Sequence, residues 1–120
     1  MDDRDVEQQI QDKGLNAPRV TPADIEAEIT SEFYFTAGDG VRGESEMGTS
    51  PAGNASSLEE LTFCVLVLRN GFTVTGESAC ASPENYDRDI GRQIARQNAV
   101  NKIWPLLGFR LRDALHELAG

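Results

Sequence analysis

Histidine and cysteine are nearly absent from this chain, with one His and two Cys in 120 residues. Structural zinc sites need sets of Cys and His at fixed spacings, and His116, Cys64 and Cys80 match no such pattern. Cys64 sits inside an apolar strand pattern and Cys80 follows the next strand, so both read as reduced thiols. No elbow-type motif surrounds either thiol, which argues against a Cys–His catalytic pair. Long apolar runs are missing too: none approaches the roughly 20 residues needed to span a bilayer. Basic charge is scarce, with 11 Lys and Arg against 20 Asp and Glu and a net charge of −9. Binding to nucleic-acid polymers needs a basic surface to neutralise backbone phosphates, and so acidic a total argues against it. There is no Gly-rich loop followed by a lysine and there are no paired histidines. Glu77 and Glu84 form a carboxylate pair only if the fold brings them together, and nothing in their spacing demands it. Without an evident nucleophile or base, the chain reads as a binder rather than an enzyme, with no metal and no cofactor.

What is present is unevenly distributed. Residues 1–60 carry 14 acidic and 4 basic side chains, and residues 61–120 carry 6 and 7. Apolar residues make up 39% of the chain, as in a globular protein of one domain with one core. The start, MDDRDVEQQIQ, is acidic and polar, unlike a secretory leader, so the expected location is a cytoplasm.

Residues 1–16 show only weak helical periodicity through Val6 and Ile10 and are expected to be a flexible acidic tip. Residues 17–120 are expected to form one domain. Thr21-Pro22-Ala23-Asp24 is a helix start, with a capping threonine, a proline at the first helical position and an acid to close a capping box. Ile25, Ile29 and Phe33 then follow at helical spacing, with Glu26, Glu28 and Glu32 placed outward. Residues 36–57 are rich in Gly, Ser, Thr and acids and read as a long mobile loop. Leu61–Leu68 is β-prone and nearly all apolar. Asn70-Gly71 is a hairpin turn signal, and Phe72–Ser78 alternates, with Phe72, Val74 and Gly76 on one face and Thr73, Thr75 and Glu77 on the other. The first strand is apolar on both faces, so both need cover, from a helix or a second subunit.

Ser82-Pro83 starts a second helix, expected to end near Trp104 because Pro105 lies just beyond. It places Tyr86, Ile90, Ile94, Val100 and Trp104 on one side, and Arg88, Arg92 and Arg96 on the other with Lys102 near. Leu107, Phe109 and Leu111 alternate with Gly108, Arg110 and Arg112, as in a one-sided strand, before a short terminal helix. The class is therefore α+β: an antiparallel hairpin or small sheet, a short N-terminal helix and a longer C-terminal one.

Two sets of residues carry candidate chemistry. The arginines are either a solvated helix face or a phosphate site, since guanidinium offers a planar fork of donors. Thr75, Glu77 and Asn85 are either the wet side of a hairpin or partners for ribose hydroxyls and a base edge. Phe72 is either core or a stacking surface.

The string NGFTVTGESAC, followed by PEN, IGRQIA and KIWPL, resembles a family of small phage and prophage proteins. That family is named after gene products forty-nine and sixty-six of two bacteriophages. APRVTPADIEAEI and YFTAGDGV fit as well, so the resemblance covers roughly residues 17–112. The family in turn resembles Thoeris anti-defence sponges. The resemblance implies capture, without degradation, of cyclic ADP-ribose isomers made by TIR-domain enzymes, in the cytoplasm of the infected bacterial host. It also implies homo-oligomers, from dimers to hexamers, and cyclic oligonucleotides as further ligands. Arg92 and Arg112 are then the first phosphate candidates, followed by Arg88, Arg96, Arg110 and Lys102. Phe72 would stack on a base, and Thr75, Glu77 and Asn85 would meet ribose and base edges. Phe109 stands where a tyrosine is expected. The rivals are an interaction protein with no small ligand and a nucleotide hydrolase.

Overall fold

A three-stranded antiparallel sheet, its strands side by side in chain order, carries one long helix across one face. The computed structural model describes residues 2–45 and 55–120. The strands are β1 (Ile29–Thr36), β2 (Leu61–Leu68) and β3 (Thr73–Ala79). The helices are α1 (Asp3–Asp12), α2 (Pro22–Glu28), α3 (Ala37–Glu44), α4 (Ala55–Leu58) and α5 (Arg88–Ala119), and a single 3-10 turn occupies Pro83–Asn85. The α+β architecture is the one read from the sequence.

The hairpin forms as its pattern dictates. Gly71 has φ +89° at the turn, a conformation that side chains with a Cβ rarely adopt. Alternate residues of β2 (Thr62, Cys64, Leu66 and Leu68) are buried, and the first three pair across the sheet with Ser78, Gly76 and Val74 of β3. On this face α5 contributes Ala95, Ala99, Val100, Ile103 and Leu107 to a core that α2 closes with Ile25. Ile25, Leu66 and Ile103 are fully buried, and each contributes roughly 1.5–3 kcal/mol. The closest packing is at Gly76, where any Cβ would overlap the Ala95 carbonyl oxygen and the Ala99 nitrogen of the helix backbone.

The other sheet face carries Phe33 and Phe35, Phe63, Val65 and Val67, and Thr73, Thr75 and Glu77. Among the described helices α3 reaches it at Phe35, where a Cβ on Gly40 would sit 3.8 Å from the ring; Phe33 is 56% exposed, and the Phe35 and Phe63 rings stack with centroids 5.6 Å apart.

Four local expectations are corrected. Ile25, Ile29 and Phe33 do not share one helix: α2 stops at Glu28 and the chain becomes β1. Thr30, Phe33, Tyr34, Phe35 and Thr36 favour an extended backbone, and pairing with β2 outweighs the four-residue spacing. Glu28, placed outward by helical periodicity, is instead buried at 5% exposure. The second helix starts at Arg88, capped by the Asp87 carboxylate accepting from the Ile90 amide, and only a 3-10 turn follows Ser82-Pro83. Finally, residues 107–112 are not a strand, because α5 runs unbroken through Pro105. Proline in a helix interior costs about 3 kcal/mol. Here the carbonyl it leaves without a donor belongs to exposed Asn101, which water can satisfy, and buried Ile103 and Leu107 hold the turns on either side.

The acidic N-terminal stretch holds α1, closed by a capping box between Asp2 and Asp5 and burying no residue. It is tied down by the Glu7–Arg19 ion pair and by the Trp104 indole N–H, which donates to Asp3 at 3.2 Å. Within the loop expected at 36–57, α3 begins on a Thr36–Asp39 capping box, and α4 follows at its far end. The stretch 46–54 of that loop lies outside the described residues.

Candidate functional site

Arg88, Arg92 and Arg96 rise one turn at a time along α5, so they form a row with steps of about 6 Å. The row divides by partner. Arg96 is claimed from both sides, by Glu26 of α2 at 2.7 Å and Glu32 of β1 at 3.2 Å. These hydrogen bonds, Glu26 first, raise the Arg96 pKa, and Arg96 in turn lowers that of Glu26. Arg92 is half-buried and forms no ion pair with a carboxylate among the described residues; its guanidinium carbon lies 5.4 Å from the centroid of the Tyr34 ring. Among the described residues the half-buried arginines are Arg19, Arg42, Arg92 and Arg96, and Arg92 alone lacks a salt bridge. A guanidinium withdrawn from water without a counter-charge is costly and favours an incoming anion.

Arg92 and Arg88 line a cleft of about 330 Å³ with Phe35, Thr36, Asp39, Glu59, Thr62 and Tyr86. Phe35 and Tyr86 supply aromatic surface. The two carboxylates are already engaged: Arg42 pairs with Asp39 at 2.8 Å and with Glu59. Hydrogen bonding to Arg42 holds the Glu59 pKa below the usual range; the Thr36 amide, then Arg42, do the same for Asp39. Among the described residues, Arg88 and Arg92 are thus left as the cations of the cleft without an ion pair. At its floor, Thr62 Oγ1 is buried with no hydrogen-bond partner among the described residues.

The other predicted residues lie elsewhere. Arg110 reaches buried Glu28 at 2.7 Å, and Arg69 reaches the same carboxylate oxygen at 2.9 Å. The Arg110 hydrogen bond, opposed by burial and aided by Arg69, lowers the Glu28 pKa. Phe72, at the hairpin turn, shares a second cleft of about 200 Å³ with Arg110, Leu68 and Leu106. Thr75 and Glu77 are neighbours on the sheet face away from α5, 3.4 Å apart. Asn85 is exposed and directly precedes Tyr86. Lys102 and Arg112 are exposed on α5. Arg88 and Arg112 are 24 residues apart on one helix, a rise of about 36 Å. No single dinucleotide spans them within one chain. Arg88 with Arg92, Phe72 with Arg110, and Thr75 with Glu77 are combinations that one chain brings together.

Sequence reasoning missed Thr62, Tyr86, Phe35, Asp39 and Glu59. Thr62 had a signal, as a hydroxyl on the core-facing alternation of an otherwise apolar strand. Asp39 had the three-residue spacing to Arg42 on α3, while Glu59 had no local signal, because it meets Arg42 from 17 residues away. Among the described residues, no cluster of His, Cys, Asp and Glu could hold a metal ion, and no helix is long and apolar enough to cross a membrane.

The fold and cleft define a small α+β protein with an aromatic-walled, cation-lined recess. The chain belongs to the phage protein (N4 Gp49/phage Sf6 gene 66) family, whose model matches residues 20–115. No curated protein and no solved structure matches it.

Proposed function

We propose that this phage protein captures a small phosphorylated nucleotide and holds it without turnover. The ligand we favour is a cyclic ADP-ribose isomer of the kind made by bacterial TIR-domain defence enzymes. The observation that carries the reading is Arg92, half-buried with no carboxylate partner among the described residues, beside Arg88 in a cleft with two aromatic walls. A pyrophosphate supplies the missing counter-charge, and adenine supplies a flat surface for Phe35 or Tyr86. The Thr36 hydroxyl meets Glu59 at 3.4 Å, but that carboxylate is already paired with Arg42, which makes it a poor base and favours binding over hydrolysis. Cyclic oligonucleotides carry the same phosphate chemistry. The protein would act in the cytoplasm of the infected host, where such signals are made.

Assembly belongs to this reading. The open sheet face, with Phe33, Phe35 and Phe63, is the surface we expect a second copy to cover. Phe35 belongs both to that face and to the cleft, so assembly and binding would meet at one side chain. The same apolar face supports the rival reading of a phage interaction protein with no small ligand.

One experiment separates the readings. The protein is mixed with cyclic ADP-ribose isomers, separated from free ligand and denatured, and the ligand is recovered by chromatography. Retention with intact release is the expected result. Converted ligand would identify an enzyme, and no retention at micromolar protein would leave the interaction protein.

A further inference from the structure

We propose that Thr62 is the specificity-determining hydroxyl of the Arg88–Arg92 cleft, hydrogen-bonding an oxygen of the phosphorylated ligand. The inference rests on the nucleotide-binding reading and adds the contact that the floor of the cleft would make. Thr62 is 2% exposed, and its Oγ1 is the one buried side-chain polar atom without a partner among the described residues. A buried hydroxyl left unsatisfied opposes folding, so its place in an otherwise apolar strand calls for a compensating role.

Two further features converge on it. Thr36, Thr62 and Ser78 are paired across the three strands, so the helix-facing side of the sheet ends in a row of hydroxyls beneath the start of α5. Directly above lies Gly91, buried in the first turn of α5. A Cβ there would sit 3.2 Å from Thr62 Oγ1 and 3.8 Å from the Tyr86 ring. Glycine weakens a helix interior relative to alanine, yet here it keeps the space over the hydroxyl clear. The Thr62 oxygen is shut off from solvent in the free protein, so a neighbouring side chain must move before a ligand reaches it.

The test uses full-length protein and two probes, inorganic pyrophosphate and ADP-ribose, read by calorimetric titration and thermal melting. Thr62→Val keeps the shape and removes the hydroxyl. It is expected to raise the melting temperature of the free protein by about 2–6 °C while weakening binding about tenfold. Thr62→Ser should restore binding, and Gly91→Ala should weaken it with the fold intact. A loss for both probes assigns a phosphoryl oxygen to Thr62; a loss for ADP-ribose alone assigns a sugar hydroxyl. Either supports the proposal. Unchanged affinity in Thr62→Val overturns it and leaves the nucleotide reading standing. A lower melting temperature in Thr62→Val also overturns it, because the hydroxyl then has a partner within the protein. Wild-type protein that binds neither probe overturns the proposal, while the nucleotide reading stands or falls on retention of the cyclic isomers.

Discussion

At the start of α5, Arg88 and Arg92 line a cleft whose carboxylates are already held by Arg42, whereas farther along the same helix Arg96 and Arg110 are held by glutamates of α2 and β1. The residue type is identical and the roles diverge. Arg96 and Arg110 tie α5 to elements tens of residues away in sequence. Arg92, set over the Tyr34 ring and without an ion pair among the described residues, keeps its charge available. A row of arginines on a helix therefore says little until their partners are known, and exposed pairs contribute modestly in any case.

Breaking the scaffold that holds both ends in place has the largest expected effect. Gly76→Ala drives a methyl into the α5 backbone, which cannot yield as a flexible side chain would. It should cost about 3 kcal/mol or more, read as a collapse of the denaturant midpoint. Full stability in that variant would mean that α5 does not lie on β3 as described.

A smaller effect tests the paired end alone. Glu28→Gln removes the charge that Arg69 and Arg110 share. Both arginines are more than half exposed, so about 1–2 kcal/mol is expected, with ligand binding unchanged. Acid should act on the same set of contacts. Arginine partners lower the pKa values of Glu26 and Glu28, and that of Glu7 falls to about 2 from an ordinary 4.5. A carboxylate with a lower pKa folded than unfolded stabilises the fold while ionised and loses that contribution on protonation. The melting temperature should stay level from neutral pH to about 5, then fall below about 4.5 and on toward 2. A melting temperature that rises through that window would contradict the pairing.

The smallest effect lies at the far end of α5. Gly108 sits in the helix interior, and a Cβ added there would meet nothing within 4 Å. Gly108→Ala should stabilise by up to about 1 kcal/mol without altering binding. A loss of stability would show that this segment packs against something in solution.

Much of the fold could be read from local pattern. The β2–β3 hairpin follows from alternation and Asn70-Gly71, and the start of α2 from Thr21-Pro22-Ala23-Asp24. What failed locally was decided at a distance. Ile25, Ile29 and Phe33 have helical spacing, but β1 forms because β2 pairs with it. Pro105 looks like a stop until Ile103 and Leu107 are seen buried on either side of it. The site divided in the same way. Arginines 88, 92, 96 and 110 stood out by type and spacing. Which of them are neutralised depends on Glu26, Glu28 and Glu32, 64 to 82 residues away in sequence, and no local pattern reveals those pairs.

The most direct test compares Arg92→Ala with Arg96→Ala, measuring retention of a cyclic ADP-ribose isomer and melting temperature for each. Arg92→Ala should weaken retention at least about tenfold, since an arginine–phosphate contact contributes roughly 1.5–3 kcal/mol, while the melting temperature holds. Arg96→Ala should lower the melting temperature by a few degrees and leave retention intact. Retention lost equally in both variants, or in neither, would contradict the division of α5 into a free-cation end and a tethered one.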